Sequence, residues 1–290
     1  MSYFVELSVN GAIAGSLYAL IALAFVVIYK ASRIINFALG EWVMFGTSFV
    51  AVGLHLLAAP LIVSIGLACV GMYAVAVIFN CMVLRPLAGG RAIALIMVTI
   101  GFGAFLRAVA AMVFAGVPRH IELPIPAGTV EVAGVLLSLD ELAVAAIAIA
   151  LIGAVSYCFA RSRWGIALRA LADDRGAAMA MGIDVQWCFA FVWGLAGAIA
   201  VVGGVLWTGV AGGGFGMVLV GLKIFPVAII GGLDSIRGAL VGAMLIGWLE
   251  SLTSGYLGGG VSSVAAYAVL LAFLLVRPYG VFGRADIERV

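Results

Sequence analysis

The stretch that decides the fold is L-S-V-N-G-A-I-A-G-S-L-Y-A-L-I-A-L-A-F-V-V-I-Y, residues Leu7–Tyr29, which contains no charged side chain. About 20 apolar residues suffice to cross the ~30 Å hydrocarbon core of a membrane as a helix, at ~1.5 Å per residue. The rest of the chain has the same character: of its 290 residues 66% are hydrophobic and 10% are charged, and the mean hydropathy is +1.30. So few charges could not cover a water-facing surface. The composition therefore excludes a soluble enzyme and indicates a polytopic membrane protein.

Several further spans follow from the distribution of charge. Residues 42–84 contain no Lys, Arg, Asp or Glu and are too long for one crossing, so we expect two spans with a break at His55–Pro60. Other apolar runs of spanning character are Ala92–Gly116, Leu142–Ala160 and Trp187–Ala211, and a shorter apolar run, Val264–Val276, leads into Arg277 near the end. Two runs in the last third, Val218–Gly231 and Gly238–Trp248, are too short to cross upright and are predicted to be half-helices or helices broken by glycine. The predicted fold is an all-α, polytopic membrane helix bundle, a single domain over residues 1–290 with about 8–9 membrane segments.

The basic residues predict which side each loop faces. Twelve of the 15 Lys and Arg residues fall in loops and a tail that the alternation of spans places on one side. They are Lys30, Arg33, Arg85, Arg91, Arg161, Arg163, Arg169, Arg175, Arg237, Arg277, Arg284 and Arg289. The opposite side holds only Arg119, whereas Arg107 and Lys223 lie within apolar runs. Because basic loops remain in the cytoplasm, we expect a periplasmic N-terminus and a cytoplasmic C-terminus.

Residue patterns for enzyme chemistry are absent from the sequence. Lys30 precedes Ala31 and Lys223 precedes Ile224, so neither lysine belongs to a phosphate-binding Gly-Lys-Ser/Thr loop. With only two histidines there is no metal site of the His-x-x-x-His kind, and no Gly-x-Ser-x-Gly nucleophile motif occurs. The net charge of +2 does not suggest nucleic acid. We therefore predict no catalytic residue, no metal site and no cofactor held by this chain.

Residues 161–185 form the longest polar interruption of the apolar sequence. Of the segments that the basic residues assign to the cytoplasm, this one has the most distinctive pattern. Asp173 or Asp174 can cap a short helix, and Gly182 can end it about two turns later. Between them we expect an exposed apolar face at Ala177, Ala178 and Met181, suited to docking a partner. The alternative is an ordinary solvated loop.

The pattern in this segment resembles the cytoplasmic coupling loop of LivH-type permeases, the branched-chain amino acid ABC transporter family. It reads G-x-x-L-R-A-x-x-D-D-x-x-A-A-x-x-x-G-I from Gly165 to Ile183. Residues 10–20 with 35–41, residues 99–101, and residues 221–223 with 230–239 resemble the same family, in order along nearly the whole chain. The resemblance implies that contact with the ATPase is made by Gly165, Leu168, Arg169, Asp173, Asp174, Ala177, Ala178 and Gly182.

The partners implied by this resemblance are a second, related permease subunit in a heterodimer, two ATP-binding subunits and a periplasmic solute-binding protein. ATP and Mg would be bound by the partner subunits. The implied location is the bacterial inner membrane, with lipid around the bundle. The implied function is translocation of a small polar or amphipathic solute, in the class of branched-chain and other amino acids. A self-sufficient secondary carrier or channel is the alternative, and copurifying ATPase subunits would separate the two.

Polar residues inside the apolar runs are the candidates for a translocation path or gate: Asn36, Glu41, Thr99 and Lys223. Glu41 is expected ~7 Å from the cytoplasmic start of its span, as a gate residue beside Asn36 or as a structural acid at the interface. Arg107 is within reach of water or a glutamate, and structural pairing is one interpretation. Lys223 is either a pathway residue or an anchor in a discontinuous helix. The spacing of Gly11 and Gly15 predicts close helix packing.

Overall fold

The fold is a bundle of helices around one central helix. The computed structural model describes residues 2–87, 91–117, 120–125, 128–132, 135–277 and 280–283. Its helices are α1 (Ser2–Ser32), α2 (Leu39–His55), α3 (Leu61–Phe79) with a π-helical turn (Asn80–Leu84), α4 (Ala92–Val113), α5 (Leu139–Arg161), α6 (Arg163–Asp173), α7 (Arg175–Ala180), α8 (Val185–Ala211), α9 (Met217–Gly231), α10 (Ile236–Leu257) and α11 (Gly259–Val276). Arg119, Arg284 and Arg289, used above to predict sidedness, lie outside the described residues.

Seven of the described helices are long and apolar enough to cross a membrane: α1, α3, α4, α5, α8, α10 and α11. The predicted break in residues 42–84 is confirmed, since α2 ends at His55 and α3 begins at Leu61. A two-stranded antiparallel hairpin, β1 (Thr129–Val132) and β2 (Val135–Ser138), precedes α5 and pairs Thr129 with Ser138. The all-α, polytopic character predicted from the sequence is confirmed, with this hairpin as the small exception.

The core lies around α1, whose Leu17–Ile28 segment is buried almost completely, and α1 packs against α5, α8, α9 and α10. Two fully buried tryptophans, Trp42 of α2 and Trp193 of α8, meet edge to face with ring centroids 5.6 Å apart. The outer helices expose large apolar side chains instead, among them Ile62, Met112 and Leu275. An apolar outside is what contact with lipid requires, so the fold is that of a multi-pass membrane protein.

The helices α1 and α10 cross at glycines. A Cβ atom on Gly247 would lie 2.5 Å from the backbone O of Gly11 and from the backbone N of Gly15. Only residues without a side chain allow two helix backbones to approach this closely. The packing role predicted for Gly11 and Gly15 is confirmed.

The last third corrects one prediction and confirms another. The helix α9 is short, with 15 residues, and ends at Gly231; the next residue, Gly232, has a φ of +105°, which favours glycine. The half-helix predicted at Gly238–Trp248 is wrong, because α10 continues for 22 residues to Leu257. The helix continues past Trp248 through polar residues, some of which are hydrogen-bonded to other helices; Ser251 Oγ, for example, donates to Leu7 O at 2.6 Å.

Candidate functional site

An unusual connection carries the chain from α1 into the interior before α2 begins. Residues 33–36 are not helical, and Asn36 and Ala38 are fully buried. Thr99 Oγ1 of α4 accepts a hydrogen bond from Phe37 N at 3.3 Å and also lies 3.3 Å from Ile35 O. Since Thr99 is ~10 Å along α4 from Ala92, this connection lies well inside the bundle.

Glu41 consequently lies deeper than expected. A Cβ on Gly103 would lie 3.1 Å from the Glu41 carboxyl carbon, and Gly103 is ~16 Å along the ~33 Å of α4. The prediction of ~7 Å from the start of the span is therefore wrong: the buried connection has already carried the chain inward before Leu39 starts α2. Glu41 forms an ion pair with Arg107, whose side chain is 52% exposed at the bundle surface. The pairing interpretation of Arg107 is confirmed.

The side chain of Asn36 is fully buried and incompletely bonded. Its Oδ1 accepts a hydrogen bond from Ala38 N at 3.0 Å, which tightens the turn into α2. Its Nδ2 has no hydrogen-bond partner among the described residues. The structure thus brings Asn36, Glu41 and Thr99 together at the junction of α2 and α4.

Lys223 belongs to a second polar cluster, on α9. Its Nζ lies 3.1 Å from Glu250 Oε1 and 3.2 Å from Glu250 Oε2, and it donates to Tyr18 Oη at 3.3 Å. Tyr18 in turn donates to Glu250 Oε2 at 2.6 Å. Three helices, α1, α9 and α10, each contribute one member of this Tyr18–Lys223–Glu250 cluster.

Sequence reasoning missed Glu250 and Tyr18. Glu250 lies just beyond the apolar run that was taken to end at Trp248. One signal could have found it: an intramembrane lysine requires a partner of opposite charge, and Glu250 is the nearest carboxylate in the following helix. Tyr18 gave no signal, because a tyrosine in an apolar helix is unremarkable until its hydroxyl is seen to bond.

The helix α2 lies between the two polar clusters. Gly40 of α2 and Gly221 of α9 touch through their backbones, so a Cβ on either would clash with the other helix. Next to this contact the rings of Phe37 and Phe225 stack with centroids 4.4 Å apart. Glu41 faces α4 across its pair with Arg107, while Lys223 pairs with α1 and α10.

The candidate segment, residues 161–185, folds into two short helices rather than one. Asp174 Oδ1 accepts from Ala177 N at 3.0 Å and caps α7, and Gly182 ends the turn with φ +80°. Both predictions of helix boundaries are confirmed. The helix α6 before it was not predicted; Ser162 caps it by accepting from Gly165 N at 3.0 Å.

Several residues assigned to ATPase contact face their own chain. Gly165 and Leu168 are buried, and Gly165 packs directly against the Phe159 backbone. Arg169 donates to Phe159 O at 2.5 Å and to Ala160 O at 3.2 Å, which satisfies carbonyls at the end of α5. The packing of Gly165 and the two hydrogen bonds of Arg169 hold α6 against the end of α5.

The exposed apolar face predicted on α7 needs one correction. Ala178 is 3% exposed and belongs to the buried cluster, so the expectation that it faces water is wrong. The helix turns this residue inward because its neighbours α6 and α8 cover that side. Asp173, Ala177 and Gly182 are exposed, and the apolar surface consists of Met179 and Met181, with Met181 83% exposed.

The helices form a bundle with an apolar outside and with ion pairs between helices. The protein therefore belongs to the class of polytopic membrane proteins that hold polar groups inside the bundle. The sequence profile described as "Branched-chain amino acid transport system / permease component" matches residues 7–276. The chain belongs to this family of permease components.

Two relatives match this chain over almost their whole length, and both are named as permease proteins. The chain is 30% identical to the high-affinity branched-chain amino acid transport system permease protein BraD of Pseudomonas aeruginosa, covering 99% of this chain and 98% of that protein. It is 29% identical to the permease protein LivH of the corresponding system in Escherichia coli strain K12, with the same coverage. A solved structure, PsaBC from Streptococcus pneumoniae in complex with Fab, matches with a TM-score of 0.46 and 14% identity over 94% of this chain and 92% of that one.

Proposed function

We propose that this chain is the permease subunit of an ABC importer and forms part of the path for a small polar or amphipathic solute, in the class of branched-chain and other amino acids. The observation that carries the proposal is the family match over residues 7–276. The full-length similarity to BraD and LivH, named as permease proteins of branched-chain amino acid systems, supports the substrate class.

The proposal includes the subunits that a permease of this kind requires. A second, related permease subunit completes the path, two ATP-binding subunits hold ATP and Mg, and a periplasmic solute-binding protein delivers the solute. The chain itself is then not an enzyme. In support of this division, neither of its lysines lies in a phosphate-binding loop.

We place the protein in a bacterial inner membrane with its N-terminus outside and its C-terminus inside. Support comes from the described basic residues at helix ends. Lys30 lies in the last turn of α1, Arg91 precedes α4, Arg161 ends α5, and Arg237 lies in the first turn of α10. With α2 and α9 counted as crossings beside the seven long helices, alternation puts these ends on one face, and positive charge favours the cytoplasmic side.

Within this assembly the α6–α7 segment is the ATPase contact, and the two intramembrane clusters border the path. Asn36, Glu41 and Thr99 lie on one side of α2, and Lys223 lies on the other. Buried polar groups among membrane helices are costly and typically mark substrate or ion pathways. The unbonded Asn36 Nδ2 is one group available to a passing solute.

Reconstitution in liposomes tests the function. We expect ATP-dependent leucine uptake only when the chain is combined with the second permease, the ATPase subunits and the binding protein. The chain alone should neither hydrolyse ATP nor take up leucine. Uptake by the single chain, driven by an ion gradient, would instead establish the secondary carrier and contradict the proposal.

A further inference from the structure

A polar cleft opens on the surface of the bundle between α1, α10 and the start of α11. It is open to the outside, has a volume of about 400 Å³, and is lined by Asn10, Glu250, Ser251, Ser254 and Ser262, together with Leu7 and small residues. In the described part of the chain neither Asn10 nor Ser254 has a side-chain hydrogen bond, although both lie in helices of spanning length. Unbonded amide and hydroxyl groups are unfavourable against lipid, so the cleft is suited to water or a polar solute.

The cleft meets the Tyr18–Lys223–Glu250 cluster at Glu250, the member of the cluster that lines it. Glu250 forms part of its wall, is only 7% exposed, and lies seven residues before the end of α10. At the helical rise this is ~10 Å below Leu257, so the cleft runs from one end of the bundle towards its middle. Given the proposed orientation, that end is the periplasmic one.

At the inner end of the cleft Glu250 and Lys223 lie close together, but one carboxylate oxygen of Glu250 accepts no hydrogen bond. Glu250 Oε2 accepts hydrogen bonds from Tyr18 Oη and from Lys223 Nζ. Glu250 Oε1 lies 3.1 Å from Lys223 Nζ but accepts no aligned hydrogen bond. Lys223 also lies 5.8 Å from the centre of the Tyr18 ring. Tyr18 is fixed by stacking on Trp207, with centroids 5.5 Å apart.

We propose that this cleft is the outer part of the translocation path and that its inner end binds a zwitterionic solute. The ammonium group of the solute binds Glu250, its carboxylate binds Lys223, and the serine hydroxyls and Asn10 solvate it on entry. The inference rests on the proposed function and specifies where the solute binds.

The physical reason lies in the cost of opening the ion pair. Separating Lys223 from Glu250 within the bundle leaves two charges without partners, which is strongly unfavourable. A zwitterion supplies an opposite charge to each of them. A neutral or singly charged solute can satisfy one at most. The pair therefore selects solutes that carry both charges, and it closes again when the solute leaves.

A pair of neutralising substitutions tests the site in the assembled transporter. In the double variant Lys223→Met with Glu250→Gln no charge is left unpaired, so folding and copurification of partner subunits should be retained. We expect its leucine uptake to fall about tenfold or more relative to the parent complex. If the ion pair has only a structural role, leucine uptake should be retained, because the neutral pair of the double variant would replace it. Uptake at the parental rate overturns the inference while leaving the permease function intact. Failure of the parent complex itself to take up leucine would contradict the proposed function instead.

Cysteine labelling tests the cleft independently of any solute. In a chain without Cys69, Cys81, Cys158 and Cys188, Ser254→Cys should react with a membrane-impermeant methanethiosulfonate reagent added outside. Leu271→Cys, exposed on α11 but outside the cleft, is the matched control and should not react. An unreactive Ser254→Cys overturns the inference, and this result also decides the matter where the double variant does not assemble.

Discussion

At the scale of single residues, the two ion pairs differ in how their members are buried. Glu41 is 8% exposed and its partner Arg107 is 52% exposed, whereas both members of the Lys223–Glu250 pair are largely buried. A buried carboxylate that loses its partner keeps its whole desolvation cost, while an arginine near the surface can extend its side chain towards water. The Glu41–Arg107 pair is therefore asymmetric.

This asymmetry leads to a prediction for stability in detergent. Arg107→Met leaves Glu41 buried and unpaired and should destabilise the chain by about 3–5 kcal/mol. Glu41→Gln leaves a half-exposed arginine and should cost about 1 kcal/mol. Thermal aggregation midpoints followed by size-exclusion chromatography measure the difference, and the double variant, close to the parent, is the control. Equal losses for both single variants would show that Arg107 is not free to reach water.

At the scale of helices, glycine contacts determine which elements can approach. Gly247 lies against the backbone of Gly11 and Gly15, and Gly40 lies against Gly221. These contacts bring α1 close to α10, and α2 close to α9. A third contact of this kind joins α9, which carries Lys223, to α10, which carries Glu250: a Cβ on Gly242 would lie 2.3 Å from Val227 O.

The α1–α10 contact can be tested by adding one methyl group. Gly247→Ala places a Cβ 2.5 Å from backbone atoms that cannot move aside separately, so we expect destabilisation of about 1–3 kcal/mol. Gly153→Ala, in α5, meets open space and should be neutral or slightly stabilising, because alanine favours helix. The comparison uses the same thermal midpoints. Similar midpoints for both variants would mean that α1 and α10 are less closely packed than the structure indicates.

The proposed coupling role of α7 leads to a second prediction at this scale. Met181→Asp places a charge on the exposed apolar surface, where burial against a partner without an ion pair costs about 3–5 kcal/mol. At ~1.4 kcal/mol for each tenfold in affinity, association should weaken at least about a hundredfold. Copurification of the ATPase subunits measures this, with Met181→Leu as the matched control.

Ala178→Asp separates interface effects from folding effects. Ala178 is buried in its own chain, so this substitution should also lower expression, whereas Met181→Asp should not. If Met181→Asp assembles and transports like the parent, α7 is a solvated connection and the ATPase contact lies elsewhere.

At the scale of the whole molecule, the distribution of basic residues predicts its orientation. In a chain without native cysteines, Arg163→Cys should be labelled only from the cytoplasmic side and His120→Cys only from outside. The reason is the retention of basic loops in the cytoplasm. Inside-out and right-side-out vesicles with an impermeant maleimide distinguish the two. Labelling of both positions from one face would contradict the alternation of spans.

Much of the fold could be read from the sequence because hydropathy acts locally along the chain. A run such as Leu7–Tyr29 must be a helix in lipid whatever its neighbours are, since only internal hydrogen bonds satisfy its backbone. The same local reasoning located the break before Leu61, a helix cap at Asp173 or Asp174, and the close packing of Gly11 and Gly15. The family resemblance also depended on local patterns in a fixed order.

Pairing and depth depend on residues far apart in the chain, so only the tertiary structure decided them. The partner of Lys223 comes from α10 and α1, and Glu41 is deep because residues 33–38 run inward before α2 starts. Ala178 faces inward because of where α6 and α8 lie, and the residue pattern of the six-residue helix α7 does not reveal this. The sequence determined that charges would be buried in a membrane bundle. Three-dimensional packing determined which opposite charge each of them meets, because that depends on how helices distant in sequence are arranged around one another.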